Sequence, residues 1–222
     1  MILVCDLETN SLNVFEAEII TGYFAILDES FNVVDALSIQ CNPWKWSDEA
    51  EKIHGITKRQ ASKYKKFSEV YEDIVNFIHR TKATEFWCHS NSVMYGKIVP
   101  YDYAVLRLNM LNMGDNSYWT INALRPYSTH SLAKVLSDRF TFEGYSLDNV
   151  CKSLGIKLNH HNAESDCLAA VEIIKKLLPL TSRDELYNYE RGINEDPART
   201  RKRDPKKSRP GNGVVNHFSN HI

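Results

Sequence analysis

Long apolar runs are missing from this chain. Nowhere among its 222 residues do eighteen apolar residues follow one another, which excludes an ordinary membrane-spanning helix. The N-terminus also lacks the basic-then-apolar pattern of a secretory leader and enters an apolar strand at once, so the expectation is a cytoplasmic protein with no membrane partner. Cysteine is scarce and odd in number: Cys5, Cys41, Cys88, Cys151 and Cys167 contain no CxxC pair, which argues against a disulfide framework and against a thiolate zinc site. A large net charge is lacking too, at −1, but the balance is uneven, because residues 191–222 carry eight Lys/Arg against three Asp/Glu. Pro197, Pro205, Pro210, Gly211 and Gly213 make that basic stretch a candidate flexible tail, able to hold a polyanion or a partner by charge.

What is there suffices for a substantial core: 43% apolar residues, with 11% aromatics, over one domain or at most two. The chain opens on a buried-strand pattern, Ile2-Leu3-Val4-Cys5, that runs into Asp6-Leu7-Glu8. Side chains alternate along a strand, so Asp6 and Glu8 share one face. Two carboxylates that close raise each other's pKa unless a cation sits between them, and hard divalent cations take such oxygen ligands. An ordinary solvated strand end before an Asn-Ser turn has the same composition, so the pair gains meaning only from the rest of the chain.

Two strand-length apolar runs, 19–27 and 33–41, predict an antiparallel hairpin. A short helix from Ser47 to Gly55 leaves His54 at its end, and Thr57 with Gln60 forms a capping box for the next one. Val70, Ile74, Phe77 and Ile78 recur at helical spacing over 67–79, and 84–88 reads as a buried strand ending in His89-Ser90-Asn91. A loop with Gly96 and Pro100 leads to a helix with Asp102 in its first turn, where negative charge meets the positive end of the helix dipole. A short strand over 118–123 and helices over 131–137 and 147–154 follow. The last long helix presents Ala163, Cys167, Val171, Ile174 and Leu178 to the core. On one continuous helix His161 and Asp166 would lie roughly 140° apart. Asn162 as an N-cap instead starts the helix just after His161, leaving the histidine on a loop free to turn toward Asp166.

In this order and spacing, Asp6-Leu7-Glu8-Thr9 and His161-x4-Asp166 resemble the first and third motifs of the DnaQ-like 3′–5′ exonucleases of the DEDDh type. Ile53-His54-Gly55-Ile56-Thr57 and the stretch from Tyr145 to Ile156 resemble segments that lie between those motifs. The resemblance spans residues 1–180 and leaves 181–222 as a basic, largely flexible extension. It implies an α/β, RNase H-like fold, with a central mixed five-stranded sheet flanked by helices. It also implies hydrolysis of phosphodiesters from a free 3′ end, releasing nucleoside 5′-monophosphates, with two divalent cations, Mg2+ or Mn2+, as cofactors. Asp6, Glu8, Asp102 and Asp166 would hold the metals, with Asp6 as the bridge, and His161 would act as general base, a task suited to an imidazole. Thr9, Leu12 and His54 would contact the substrate, although a turn cap, a core residue and a structural histidine are equally good readings of the three.

The chain departs from the family at three places. Asn10-Ser11 stands where Thr-Gly is usual, which predicts a turn built from residues less tolerant of positive φ. Ten residues separate Asn91 from Asp102, which is preferred over Asp115 because it follows an aromatic and opens a helix. Asn122 stands where many relatives carry an acid. Single-stranded DNA 3′ ends, in proofreading or repair, are the expected substrate, with RNA trimming as the alternative. A silent nucleic-acid-binding or polymerase-associated module is the non-enzymatic rival, disfavoured by the complete carboxylate set. A DNA polymerase or other replication partner could dock on the tail.

Overall fold

The computed structural model describes residues 1–114, 116–159 and 161–195; Asp115, His160 and the basic stretch 196–222 lie outside the described residues. Its centre is β1 (Ile2–Thr9), paired antiparallel with β2 (Ile19–Leu27), which pairs antiparallel with β3 (Val33–Gln40). Three helices follow, α1 (Asp48–His54), α2 (Lys58–Ala61) and α3 (Tyr71–Thr81). The chain then returns through β4 (Glu85–Cys88), parallel to β1 on its other side. A small hairpin, β5 (Asn91–Met94) and β6 (Lys97–Pro100), leads to α4 (Tyr101–Leu111) and α5 (Tyr118–Asn122). The fifth strand of the main sheet, β7 (Arg125–Ser128), pairs parallel with β4, giving the order β3-β2-β1-β4-β7. The described chain ends in α6 (Thr129–Val135), α7 (Leu147–Leu154), α8 (Ala163–Leu177) and α9 (Arg183–Glu195). None of these helices is long and apolar enough to cross a membrane.

Both faces of the sheet are covered, which is why β1 opens with an unbroken apolar run. Leu3, Cys5 and Leu7 join Phe24, Phe77, Phe86 and Leu106 in one core. Ile2 and Val4 point the other way and pack with Trp87, Tyr127, Leu132 and Ile174. The face that carries Ile2 and Val4 continues into Asp6 and Glu8, so both acids emerge on the side covered by α8. All five cysteines are free thiols and all are buried.

Three elements differ from the sequence expectation. The strand expected over 118–123 is the helix α5, which buries Ile121; the true strand follows at 125–128. That strand contains Pro126, which a sheet tolerates there because β7 is an edge strand. The loop expected after Asn91 is the β5–β6 hairpin, turned by Tyr95 and Gly96 with φ of 49° and 77°. Within the extension expected to be flexible, 183–195 forms α9, whose Leu186 is fully buried in the second core; the remainder, 196–222, lies outside the described residues.

Gly22 lies opposite Leu7 in the β1–β2 register, and a Cβ there would come within 2.7 Å of Leu7 Cδ2. Since Leu7 sits between the two strand acids, its packing fixes their position. Gly22→Ala should destabilise the protein by about 1–3 kcal/mol through overpacking, read as a lower urea midpoint at unchanged slope. An unchanged midpoint would mean that Leu7 has room to move aside.

Candidate active site

Four segments converge at the end of β1. Asp6 and Glu8 leave the strand on one face, and α8 crosses that face with Asp166 in its first turn. Asn162 caps α8, its Oδ1 accepting from Ser165 N at 3.1 Å, and α8 therefore begins just after His161. His161 takes a φ of 61°, exposes its side chain beside the cleft, and donates its backbone N–H to Asp166 Oδ2 at 3.3 Å. Carboxylate oxygens of Asp6, Glu8 and Asp166 lie within 4.8 Å of one another, close enough to ligate one cation together.

Asp102 arrives from the opposite layer. β1 runs on past its last pairing with β4, at Val4, and farther along Leu7 N donates to Asp102 Oδ1 at 3.1 Å. The ten residues inserted before Asp102 do not displace it. Asn91 pairs with Pro100 at the base of the hairpin, and Tyr101 N donates to Ser90 O at 2.9 Å, so the chain returns to where it left the sheet. Asp102 is 3% exposed and Asp166 7%.

Burial and mutual proximity strain this cluster electrostatically. Burial first, then the neighbouring Asp102, Glu8 and Asp166, raises the pKa of Asp6 well above the ordinary carboxylate range. Glu8 is raised to about 7 by burial and by Asp166 and Asp102. Asp102 also rises to about 7, mainly through burial, opposed by hydrogen bonds from Cys88 and from the Leu7 amide.

All eight residues singled out in the sequence line one cleft of about 890 Å³. Thr9 Oγ1 donates to Ser11 O at 3.0 Å and lies 2.7 Å from Tyr101 Oη, so its hydroxyl is already engaged in the turn. Leu12 is 82% exposed at the rim and belongs to neither core. His54 is buried, its Nδ1 accepts from Ile56 N at 3.0 Å, and its Nε2 is buried without a partner. Because Nδ1 accepts, the ring hydrogen sits on Nε2, and burial lowers the pKa of the ring. The expected strain at Asn10-Ser11 is absent, since neither residue takes a positive φ. Asn10 is buried instead, accepting from Glu18 N at 2.7 Å and donating to Lys45 O at 3.0 Å, which ties the end of β1 to the segment before α1.

Two further histidines line the cleft and were not singled out in the sequence. His89 bridges the elements around it, Nδ1 to Thr129 Oγ1 at 2.8 Å and Nε2 to Tyr145 O at 3.1 Å. His130, at the start of α6, is held neutral by burial and by Lys134, its pKa lowered to about 4. The signal for His130 is its place just after a strand end, which the sequence hides because Pro126 argues against a strand at 125–128.

A family model described as Exonuclease matches residues 3–174. The chain belongs to the exonuclease family. Its fold is the RNase H-like fold of the DnaQ-like members, and it is similar to solved structures of exonuclease I. The E. coli enzyme in complex with a dT13 oligonucleotide has a TM-score of 0.69 at 18% identity, over 85% of this chain and 42% of that one. The zinc-bound E. coli exonuclease I–ssDNA complex gives 0.68 at 18% identity, again over 85% and 42%. A product-bound exonuclease I gives 0.67 at 17%, over 85% and 45%. The chain thus spans less than half the length of these structures. Among curated proteins no sequence matches.

The raised carboxyl pKa values set a sign for pH dependence in the cation-free protein. Between the ordinary values of 3.8 and 4.5 and the folded values of about 7, the native state binds protons that the unfolded chain has released, so stability falls as pH rises through that window. The melting temperature of chelator-treated protein should fall accordingly. Added Mg2+ or Mn2+ should raise it more at the upper end of the window than at the lower, because cations bind the ionised carboxylates. A melting temperature that ignores both pH and cation would contradict the mutual repulsion of the cluster.

Proposed function

We propose that this exonuclease-family protein hydrolyses phosphodiesters stepwise from the 3′ end of single-stranded DNA, releasing nucleoside 5′-monophosphates with the help of two divalent cations. The observation that carries the reading is the approach of Asp6, Glu8 and Asp166 to within 4.8 Å, with Asp102 beside them. The donor set fits Mg2+ or Mn2+: it is all oxygen, it is anionic once deprotonated, and repulsion within it is relieved by added positive charge. Asp6, Glu8, Asp102 and Asp166 would hold the cations. When bound, the cations would polarise the scissile phosphate and offset the charge that builds up on it.

The remaining work falls to the protein. His161 takes a proton from the attacking water. Its backbone bond to Asp166 keeps the loop in register with the carboxylates. Asp102 is fixed by the Leu7 amide and so resists displacement by substrate. Tyr101 Oη donates to Ser11 O at 2.5 Å and, with Thr9, shapes the turn on which the terminal nucleotide rests. Leu12, exposed at the rim, is placed to wedge against the last base, and the His54 Nε2–H supplies a donor from the α1 side. A single strand suits this cleft because a duplex end must unpair before its last phosphate reaches the carboxylates.

The test is release of mononucleotides from matched single-stranded DNA, duplex DNA and RNA with Mg2+ or Mn2+. Single-stranded DNA should be cleaved fastest, and Asp166→Ala should abolish turnover. Turnover surviving in that variant, or no cleavage of any substrate, would sink the reading, and preference for RNA would move it to an exoribonuclease. His161→Ala should lower kcat by about 10²- to 10⁴-fold while cation binding persists; undiminished turnover would remove His161 as the base.

A further inference from the structure

Two wall segments of the cleft continue outward and meet. Leu12 and Ser92 both line the cleft. Three residues beyond Leu12 comes Phe15, three beyond Ser92 comes Tyr95, and their rings sit edge to face with centroids 5.4 Å apart. Both are open to solvent, Phe15 at 52% and Tyr95 at 83% exposure. Tyr95 holds this position at a φ of 49°, a conformation that an aromatic residue rarely adopts and that glycine or asparagine would accept more easily.

The hairpin that carries Tyr95 is anchored at several points. Ile98 N donates to Asn194 Oδ1 on α9 at 2.7 Å, Asn91 Nδ2 donates to Ser131 Oγ on α6 at 3.1 Å, and its base closes at Asn91 and Pro100. Its ten residues include exposed Lys97 and no acid. Exposed aromatic faces on a fixed support, beside a lysine and continuous with a cleft lined by carboxylates, have the chemistry of a surface that stacks unpaired bases and meets their phosphates.

We infer that Phe15 and Tyr95 form a stacking platform for the unpaired bases lying upstream of the 3′ end held in the cleft. The inference rests on the reading of the cleft as a 3′-exonuclease site. The hairpin, ten residues from Asn91 to Pro100, then extends the substrate track instead of merely lengthening a loop.

The experiment compares wild type with Tyr95→Asn, which suits the left-handed turn but removes the ring, with Tyr95→Trp, which keeps a stacking face, and with Phe15→Ala. Binding of a fluorescein-labelled thymidylate dodecamer is measured with calcium in place of magnesium. Cleavage is measured on the unlabelled dodecamer and on the p-nitrophenyl ester of thymidine 5′-monophosphate, which is too short to reach the rings. Tyr95→Asn and Phe15→Ala should each weaken dodecamer binding by about 5- to 150-fold. They should lower the ratio of kcat/KM for dodecamer over ester by the same factor, and Tyr95→Trp should restore both. Wild-type binding and an unchanged ratio in Tyr95→Asn would overturn the platform and leave the exonuclease reading standing. Binding lost in Tyr95→Asn from a wild type that cleaves neither substrate would keep the platform and sink the exonuclease reading.

Discussion

The arrangement depends on holding like charges together. Three carboxylates share a space of under 5 Å and a fourth approaches from the other layer, where burial and repulsion both oppose ionisation. No flexible loop could hold such a cluster against its own repulsion. Here each member is fixed by a different rigid element: Asp6 and Glu8 by the central strand, Asp166 by a capped helix, Asp102 by the start of α4 and the Leu7 amide. The two covered faces of the sheet serve this purpose directly, since the alternation that sends Leu7 into one core sends Asp6 and Glu8 toward α8.

Much of the polar periphery of the site is already internally bonded. His89 joins β4 to α6 and to the segment before α7, Asn10 joins β1 to the stretch before α1, and Thr9 and Tyr101 close the turn beside the carboxylates. Such a shell limits rearrangement when charge enters the cleft, in keeping with a site that is preorganised before the reaction begins. His161 is the contrast. It sits on the exposed stretch just before α8, at a φ of 61°, and its main chain is bonded to Asp166.

Much of this was legible in the sequence where the signals were local. The apolar run ending in Asp6 and Glu8, the β2–β3 hairpin, the Thr57–Gln60 capping box and the Asn162 cap each depend on neighbours within a few residues, and each appears as expected. What escaped depended on distant context. β7 was hidden because Pro126 argues against a strand unless the strand is known to be an edge, and because Tyr118 and Trp119 favour one where α5 forms. The β5–β6 hairpin looks like a loop in the sequence because Tyr-Gly is not the usual pair for a two-residue turn. The fixing of Asp102 could not be read at all, since Leu7 and Asp102 are 95 residues apart in the chain. α9 was masked by the charge and proline content of the stretch that follows it, though its Leu186 lies fully buried.

The closed base of the small hairpin also separates two properties that are usually bound together. Because Asn91 faces Pro100 and Tyr101 returns to Ser90, the path from β4 to α4 has the same endpoints whatever lies beyond that base. Residues could be added or removed there in pairs, preserving the alternation of faces, without altering the placement of Asp102. The fold can therefore revise what its cleft presents to the outside while its chemistry stays fixed, a form of modularity built from one antiparallel pairing.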